Sequence, residues 1–495
     1  MDKVRHLVVL GGGISGLSAA YYLQRMSLNG LKHTINLSNQ YNKITVLESS
    51  PRIGGWIEST TLNNGAIFEH GPRSLRPSGV GKNSLDLVNN LGLSDIVVPV
   101  LQSHPGVKNR FIYANGQLHT LPSSLGALFK KQTLFSQRLI TSLIKEIFKE
   151  KNCKQDESIH SFVSRRFSTE IADYLVDAFC IGIFAADCRN LSVRSCLPLL
   201  FDAEQSRGSV VLANLFPSAD IDEGIEKCHL IKRAQEEGWS NWTLRGGLQR
   251  LPDKMHQTLK NEGVNVTTST ACTSIEFNQT NAGKMVANIR TSSGANIEAD
   301  HVIGAVSSQA LAALLPECHS TFTNVLSSLD AVDVAVVNLE YSGNVLDKQG
   351  FGYLIPSNQK CKLLGVVFDS CSFPDNDRQE SASTRLTCMM GGSWFQEYFG
   401  DPHSVDHDHL LAVAKETIRE HLGIVQEPEN TAVRVQHKCI TSYRPGHFKT
   451  LENLESYIEE RNLPLSLVGS SYYGVSVNDC IYNARKTAER IINSI

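Results

Sequence analysis

Residues 8–17 read Val-Val-Leu-Gly-Gly-Gly-Ile-Ser-Gly-Leu, and this stretch decides the fold. An apolar run ends in the glycines, and an Ala/Leu-rich helical pattern continues through Leu23, which predicts a strand, a tight turn and a helix. Gly11 permits the turn, Gly13 lets a pyrophosphate approach the backbone, and Gly16 lets the helix pack close to the strand. The helix N-terminus offers free N–H groups and a partial positive charge to phosphates. The stretch therefore predicts a dinucleotide cofactor.

A second strand and two short motifs follow the glycines in order. The second strand is predicted at 44–47 and is followed by Glu48, whose carboxylate is placed to hydrogen-bond an adenosine ribose. The gap from the glycines is longer than the usual ~20 residues, and we interpret the excess, Asn29 to Lys43, as a surface insertion. Arg-x-Gly-Gly follows at 52–55 and Gly-Pro-Arg at 71–73. A lone glycine motif is a weak signal, but this ordered combination is not expected by chance.

The Arg-x-Gly-Gly segment resembles the FAD family that includes amine oxidases and phytoene desaturases. In that family it lies along the pyrophosphate and flavin, and NAD enzymes have no need of it, so the resemblance implies non-covalent FAD. It assigns the glycine turn, Arg52 and Trp56 to the pyrophosphate region and Glu48 to the ribose. It also implies isoalloxazine contacts at 71–74 and 475–477. The expected cofactor residues are Gly11, Gly12, Gly13, Ile14, Ser15, Gly16, Glu48, Ser49, Arg52, Gly55, Trp56, Gly71, Pro72, Arg73, Ser74, Cys272 (through its backbone, on adenine), Val475, Ser476 and Val477.

The composition is that of an ordinary globular protein of 495 residues, enough for two or three domains. A net charge of −3 argues against nucleic-acid binding. The twelve cysteines include no C-x-x-C pair and no zinc spacing, so we expect buried thiols and no metal site. The sequence predicts no transmembrane helix and no cleavable presequence, which leaves a peripheral mode for any membrane contact.

The chain is predicted to leave its cofactor domain and re-enter it twice. Strand-like segments from 264 to 305 resemble the β-meander and return strand of FAD folds, and a strand, glycine turn and helix at 465–492 fit a segment that returns to the flavin. Residues 125 to about 201 have helical periodicity. Their stretch 128–148 has an apolar face beside lysines, which indicates a buried helix face or a membrane-interface helix. We expect an α/β (α+β) fold with a Rossmann-like FAD-binding domain of the p-hydroxybenzoate hydroxylase type (1–102, 240–310 and 455–495), a mixed-sheet substrate domain (103–111, 216–239 and 311–454) and a helical membrane-associated domain (112–215).

Strings spread over nearly the whole chain resemble the eukaryotic protoporphyrinogen oxidase family. NRFIY at 109–113, QGFGYLIPS at 349–357 and GVSVNDCI at 474–481 are not expected of an amine oxidase. The resemblance implies the six-electron oxidation of protoporphyrinogen IX to protoporphyrin IX, the penultimate step of haem synthesis. Molecular oxygen would take up the electrons through FAD and yield hydrogen peroxide. Hydride transfer from a meso carbon to flavin N5 needs no dedicated acid/base pair, so we name no general base.

The substrate is a nearly apolar macrocycle with two propionates, which calls for an apolar slot and a cationic anchor. The resemblance implies that one arginine pairs with a propionate, a match that suits a guanidinium. It also implies that Phe351 and Leu354 sandwich pyrrole rings. On the sequence alone, it is simpler to interpret the arginine as a surface residue and Phe351 and Leu354 as plain sheet core. The expected substrate residues are Arg110, Phe351, Gly352, Leu354, Met389 and Gly182.

One position departs from the family pattern. Ile181 stands where many relatives have arginine, which puts in doubt any ion pair that the family makes there. His70 and His437 are interpreted as structural rather than catalytic.

Two alternatives to this function remain open. An amine oxidase surrounds its flavin with an aromatic cage, which Tyr443 and Tyr472 could mimic, although the surroundings of Cys439 do not match the motif for covalent flavin. A non-enzymatic escort protein for prenylated GTPases would keep the fold without flavin, and the retained Arg-x-Gly-Gly argues against it. The resemblance further implies a homodimer bound peripherally to the mitochondrial inner membrane on its intermembrane-space side, with neighbouring haem-pathway enzymes as partners.

Overall fold

The computed structural model describes residues 5–32, 41–152, 154–215 and 228–494. Part of the expected insertion (33–40), part of the expected substrate domain (216–227) and Cys153 lie outside the described residues. The strands, in chain order, are β1 (Arg5–Leu10), β2 (Tyr41–Leu47), β3 (Ser59–Thr61), β4 (Ile67–Glu69), β5 (Val97–Leu101), β6 (Arg110–Ala114), β7 (Gln117–Thr120), β8 (Trp239–Leu244), β9 (Asn265–Thr267), β10 (Cys272–Gln279), β11 (Met285–Thr291), β12 (Asn296–Ala299), β13 (His301–Gly304), β14 (Ala331–Ser342), β15 (Gly352–Leu354), β16 (Leu363–Phe368), β17 (Ser383–Gly392), β18 (Asn430–Thr441) and β19 (Leu465–Leu467).

The α-helices, in chain order, are α1 (Ile14–Lys32), α2 (Gly81–Asn90), α3 (Pro105–Lys108), α4 (Leu125–Leu128), α5 (Leu139–Ile147), α6 (Ile159–Arg166), α7 (Asp177–Phe184), α8 (Val193–Cys196), α9 (Pro198–Arg207), α10 (Val210–Leu215), α11 (His229–Glu236), α12 (Arg250–Asn261), α13 (Ser308–Leu314), α14 (Ser320–Ser327), α15 (Asp369–Ser372), α16 (Phe395–Phe399), α17 (His407–Leu422), α18 (His447–Glu460) and α19 (Val477–Asn493). A π-helical turn at Ile171–Val176 precedes α7.

A five-stranded parallel sheet, in the order β19-β13-β1-β2-β9, forms the centre of the cofactor half. Strand β1 is apolar throughout Leu7–Leu10, as a parallel strand covered on both faces requires. Leu7 and Val9 pack into one apolar cluster with α1 and α19, whereas Val8 and Leu10 pack into another with the meander β10-β11-β12. The two-residue period of the strand thus divides the core between helices and meander.

A seven-stranded mixed sheet, in the order β18-β14-β17-β16-β15-β6-β7, forms the second half. All its neighbours are antiparallel except β6 and β15. The predicted hairpin around Asn115-Gly116 is present, and both turn residues have positive φ, 53° and 77°. The hairpin strands β6 and β7 extend the sheet as far as Thr120.

Helices α4 to α10 form a separate layer with its own apolar cluster. The fully buried Arg166 lies at its centre, where its Nε donates to Glu146 Oε1 at 2.8 Å and its Nη2 donates to the carbonyl of Gly208 at 2.8 Å. Such a buried charge is tolerated because it is paired and its remaining protons find acceptors. In the part of the chain that the structure describes, we find no helix with the length and apolar character needed to cross a bilayer.

Candidate active site

The glycine turn and the Arg-x-Gly-Gly turn face each other without side chains between them. Gly11 has φ +103°, and a Cβ on Gly16 would lie 1.9 Å from the Gly11 carbonyl oxygen. The Gly54 amide donates to the carbonyl of Gly12 at 2.8 Å. A Cβ on Gly55 would lie 3.2 Å from the Gly13 Cα, so any side chain would narrow this cleft. The bare backbone opens beside the N-terminus of α1, as pyrophosphate binding requires.

Glu48 follows β2 as predicted, and its carboxylate spans two turns. Oε2 accepts from the Gly12 amide at 2.7 Å and Oε1 accepts from the Ser50 amide at 2.8 Å. The Thr270 amide donates to the Glu48 carbonyl at 2.8 Å, which brings the start of β10, with Cys272, close to the expected ribose position. Ser49 is exposed beside it.

Arg52 shapes the loop that follows it. Its Nη1 donates to the carbonyl of Ile57 at 3.2 Å, its Nη2 contacts the carbonyl of Gly55, and Nη2 lies 3.6 Å from Glu58 Oε2. The next segment passes so close that a Cβ on Gly71 would lie 2.1 Å from the Trp56 carbonyl oxygen. The segments 52–57 and 70–74 therefore form one packed edge of the site.

A buried ion pair joins this edge to the mixed sheet. Arg73 Nη1 lies 2.9 Å from Asp369 Oδ1, and the two side chains are 7% and 8% exposed. Thr387 Oγ1 donates to Asp369 Oδ2 at 2.6 Å. Among the described residues, the buried Nη2 of Arg73 has no hydrogen-bond partner. An unpartnered buried donor costs about 1–3 kcal/mol, so the site fits a cofactor that offers an acceptor there.

Burial also perturbs the two titratable groups before Gly71. Burial raises the pKa of Glu69 to about 7, although its carboxylate accepts from Ser59 Oγ at 2.6 Å and from the Leu248 amide at 2.7 Å. Burial, and next the charge of Arg434, lower the pKa of His70 to about 4. The Asn338 amide nitrogen lies 3.2 Å from His70 Nδ1, so Nδ1 accepts and Nε2 donates to Thr60 Oγ1 at 2.7 Å. His70 is held as one neutral tautomer.

Replacing His70 by glutamine is expected to reduce the acid sensitivity of the fold. With a pKa of about 4 in the native state and 6.5 when unfolded, the unfolded chain binds more protons between these values, so stability falls as the pH falls from 6.5 to 4. Urea unfolding at pH 7 and pH 5 should show the parent losing about 2 kcal/mol more than the variant. Glu69 is present in both proteins and cancels in the comparison. Equal losses would contradict the assignment.

The C-terminal segment closes the other side of the cleft. A Cβ on Gly469 would lie 3.5 Å from Ser15 Oγ. Burial raises the pKa of the Cys480 thiol, and a hydrogen bond with Ser15 partly offsets that effect. Ser476 and Asp479 cap α19 reciprocally, and this helix begins at Val477. The segment that begins at Gly469 therefore lies beside the glycine turn.

Arg110 and Phe351 are brought together by strand pairing. In the parallel pair β6·β15, Arg110 lies opposite Gly352, and its guanidinium carbon lies 5.9 Å from the centroid of the Phe351 ring. Arg110 is exposed at the start of β6, and its side chain makes no ion pair with any described residue. Partial loss of hydration, and next the charge of Arg76, lower the pKa of its guanidinium, which still stays charged. A cation that has no carboxylate partner and lies at an apolar ring suits a carboxylate on an apolar ligand.

Leu354 links the sheet to the helical layer. A Cβ on Gly182, in α7, would lie 2.9 Å from Leu354 Cδ1, and a Cβ on Gly365 would lie 2.9 Å from Leu354 Cδ2. Met389 pairs with Gly365 across β16 and β17. Gly365 was not among the expected substrate residues, although a glycine inside the apolar run 363–368 is itself a sign of close approach.

The remaining selected residues have structural surroundings. Ile181 is buried in an apolar cluster with Val334, Val336 and Leu364, so no charge is placed at this position. His437 lies at the surface, 3.6 Å from Asp333 and stacked on His403. Tyr443 and Tyr472 are each 1% exposed. Rings packed this fully within the protein do not form the walls of an open cage.

Comparisons with known proteins agree with this architecture. Residues 14–492 match the family model of flavin containing amine oxidoreductases. The chain is 39% identical to human protoporphyrinogen oxidase over 491 residues, 99% of each protein, and 30% identical to the Schizosaccharomyces pombe protein of that name over 520 residues, 98% of each. A crystal structure from Exiguobacterium, provisionally assigned as a protoporphyrinogen oxidase, superposes with a TM-score of 0.77 at 20% identity over 100% of both chains.

A more distant structure shares only the fold. Cyclohexylamine oxidase from Brevibacterium oxydans superposes with a TM-score of 0.67 at 14% identity and covers 99% of both chains. The full-length relatives and the flavin family establish this protein as an oxidoreductase with FAD as its cofactor and do not favour the amine oxidase or escort alternatives. The chain belongs to the flavin containing amine oxidoreductase family and, within it, to the protoporphyrinogen oxidases.

Proposed function

We propose that this protein oxidises protoporphyrinogen IX to protoporphyrin IX and passes the electrons through FAD to molecular oxygen. The observation that carries the proposal is the 39% identity with human protoporphyrinogen oxidase over 99% of both chains. Six electrons and six protons leave the substrate in three two-electron rounds, and three oxygen molecules become three of hydrogen peroxide. This places the reaction at the penultimate step of haem synthesis.

The chain's own residues bind, orient and shield in this reaction. The glycine turn and Gly55 would hold the pyrophosphate, Glu48 would hold the ribose, and the Nη2 group of Arg73 is a donor available to the cofactor. Bound FAD supplies a two-electron acceptor for hydride from a meso carbon. Phe351 and Leu354 contact the macrocycle, whose pyrrole N–H protons pass to solvent or to neighbouring groups. Glu69 and His70, the buried titratable groups directly before Gly71, have hydrogen-bond partners within the protein, so neither is assigned as a base.

Porphyrin fluorescence tests the substrate and the acceptor together. The purified protein in air should raise the fluorescence of a protoporphyrinogen IX solution well above the autoxidation control, and removal of oxygen should stop the rise. A yellow, FAD-loaded protein that gives no rise would contradict the proposed substrate. A colourless protein would contradict the assignment of a bound flavin.

Arg110 is the proposed anchor of one propionate. Arg110→Ala is expected to weaken substrate binding by about 1.5–3 kcal/mol, the contribution of a charged hydrogen bond, which corresponds to a KM roughly 10- to 150-fold higher. The flavin absorbance should not change, because Arg110 lies on the mixed sheet and not in the glycine cleft. Steady-state kinetics measures the effect, with Lys360→Ala, in the connection between β15 and β16, as the control. An unchanged KM would exclude the anchor role.

We further propose that the helical layer, within the expected domain at 112–215, binds the surface of the mitochondrial inner membrane on its intermembrane-space side as part of a homodimer. Its support is an unusual combination of exposed apolar and basic residues. Phe148 is 82% exposed and Leu199 is 83% exposed, and Phe129 and Ile144 are also more than half exposed. The lysines of the same layer supply attraction to anionic lipids. The neighbouring enzymes of the pathway are the proposed exchange partners for an unstable substrate.

Vesicle flotation tests this surface. The double variant Phe148→Ser and Leu199→Ser is expected to bind vesicles of anionic phospholipid at least tenfold more weakly than the parent. Val425→Ser is the matched control, because Val425 is 73% exposed but lies outside the helical layer. Equal flotation of the parent and the double variant would contradict the proposal.

A further inference from the structure

Tyr443 is a buried hydroxyl that the reaction described above does not use. It lies two residues past the end of β18, and its side chain is 1% exposed. The hydroxyl donates to the carbonyl of Ser470 at 2.6 Å and accepts from the amide of Gly474 at 2.8 Å. Burial raises the pKa of this phenol well above its usual value, so the donor proton is retained. One side chain thus bridges two backbone groups that are four residues apart.

These two backbone groups belong to the loop 469–476, which connects β19 to α19. The loop begins at Gly469 beside Ser15, and it ends at Ser476, the cap of α19. Gly474 has φ +118°, and a Cβ there would lie 2.6 Å from Asp479 Cβ, so the chain turns sharply next to the bond from Tyr443. Val475, the next residue, packs into the apolar cluster that also contacts Leu354. A shift at Gly474 would therefore move Val475, which is expected to contact the isoalloxazine.

Tyr443 itself is held by the helical layer. The Ser192 amide donates to the Tyr443 carbonyl at 2.7 Å. Asp156 accepts from Ser192 Oγ at 2.8 Å and from the Gly446 amide at 2.7 Å, which fixes the backbone from Tyr443 to Gly446. The ring stacks on His447 at a centroid distance of 4.1 Å, and His447 Nε2 donates to the carbonyl of Tyr472 at 2.9 Å. Helical layer, mixed sheet and cofactor half therefore meet at this side chain.

We propose that Tyr443 is a positioning residue that fixes the loop 469–476 against the flavin, using the helical layer as its support. The inference rests on the proposed placement of Val475–Val477 near the isoalloxazine. Tyr443 is therefore not a cage residue, because its hydroxyl binds backbone groups of the loop and not the ligand. Loss of the hydroxyl should loosen the closure of the flavin site before it disturbs the fold.

The test uses the holoenzyme and the variant Tyr443→Phe, which keeps the stacked ring and removes both hydrogen bonds. FAD release is followed by the rise in flavin fluorescence on dilution, and the bound flavin is followed by visible circular dichroism. We expect release at least tenfold faster than in the parent, together with a changed flavin dichroism. The matched control is Tyr457→Phe, which keeps its stack on Phe322 and loses a hydroxyl bond of 2.9 Å to His319, outside the loop.

Release and dichroism at parent values in Tyr443→Phe would overturn the proposal, and so would an equal acceleration in Tyr457→Phe. If Tyr443→Phe does not yield folded holoenzyme, Asp156→Asn replaces it, with a smaller acceleration expected and parent-like release overturning the proposal. Neither measurement uses a porphyrinogen. A failure of the proposed substrate would therefore leave this test intact.

Discussion

Replacing Asp369 by alanine is expected to lower the free energy of unfolding by about 3–5 kcal/mol, because the buried guanidinium of Arg73 then loses its counter-charge. Asp369 Oδ1 lies 2.9 Å from Arg73 Nη1, and both side chains are more than nine-tenths buried. Thr387 Oγ1, which donates to Asp369 Oδ2 at 2.6 Å, also loses an acceptor. The FAD content should fall as well, since Arg73 is part of the 70–74 edge. Urea unfolding of the flavin-saturated protein measures the change.

The matched control is Asp330→Ala. Asp330 also pairs with an arginine, Arg444, at 2.5 Å, but the two side chains are 52% and 66% exposed. An exposed pair of this kind contributes about 0–1 kcal/mol. If Asp369→Ala cost no more than Asp330→Ala, the buried pair would not be a link between the two halves of the protein.

Gly16→Ala is expected to weaken FAD binding by roughly 150-fold, about 3 kcal/mol, at the upper end of the cost of overpacking. The added Cβ would lie 1.9 Å from the Gly11 carbonyl oxygen, a backbone atom that cannot rotate away. Helix α1 must then move off β1 and take its N-terminal amides away from the pyrophosphate. Titration of the apoprotein with FAD, followed by flavin fluorescence, measures the affinity.

A glycine in open space provides the control for this substitution. Gly126 lies in the short helix α4, and a Cβ there would meet no atom within 4 Å. Gly126→Ala should bind FAD like the parent and be equally stable or slightly more stable, because alanine restricts the unfolded chain. Parent-like FAD affinity in Gly16→Ala would show that the helix can shift without loss of the cofactor.

Local patterns were sufficient to predict the elements that carry the cofactor. The continuous apolar run Leu7 to Leu10, the spacing of the three glycines and the position of Glu48 each depend on a few adjacent residues, and the structure confirms the strand, turn, helix and second strand. The hairpin at Asn115-Gly116 is predictable for the same reason, since two positive φ angles call for those residue types.

Other features depend on residues far apart in the chain. The partners Arg73 and Asp369 are 296 positions apart, so no spacing in the sequence pairs them. From the sequence alone, Tyr443 could be an aromatic cage residue. Only the packing of the folded chain directs its hydroxyl to the backbone of Ser470 and Gly474. Strand β18, at the edge of the mixed sheet, was not predicted, although Arg434 and Gln436 alternate with Val433 and Val435 as in a half-buried strand.

The order of strands in the central parallel sheet has a consequence for folding during synthesis on the ribosome. Strand β1 ends at Leu10 and pairs with β13. Strand β13 pairs on its other side with β19, whose last residue is Leu467. At roughly 5–20 residues per second, a ribosome needs about 20–90 s to travel between these two strands. Throughout that interval the apolar N-terminal strand has no complete sheet to join. We therefore expect that nascent chains depend on chaperones until synthesis is nearly finished, and that chains halted before β19 never acquire the yellow colour of a flavoprotein.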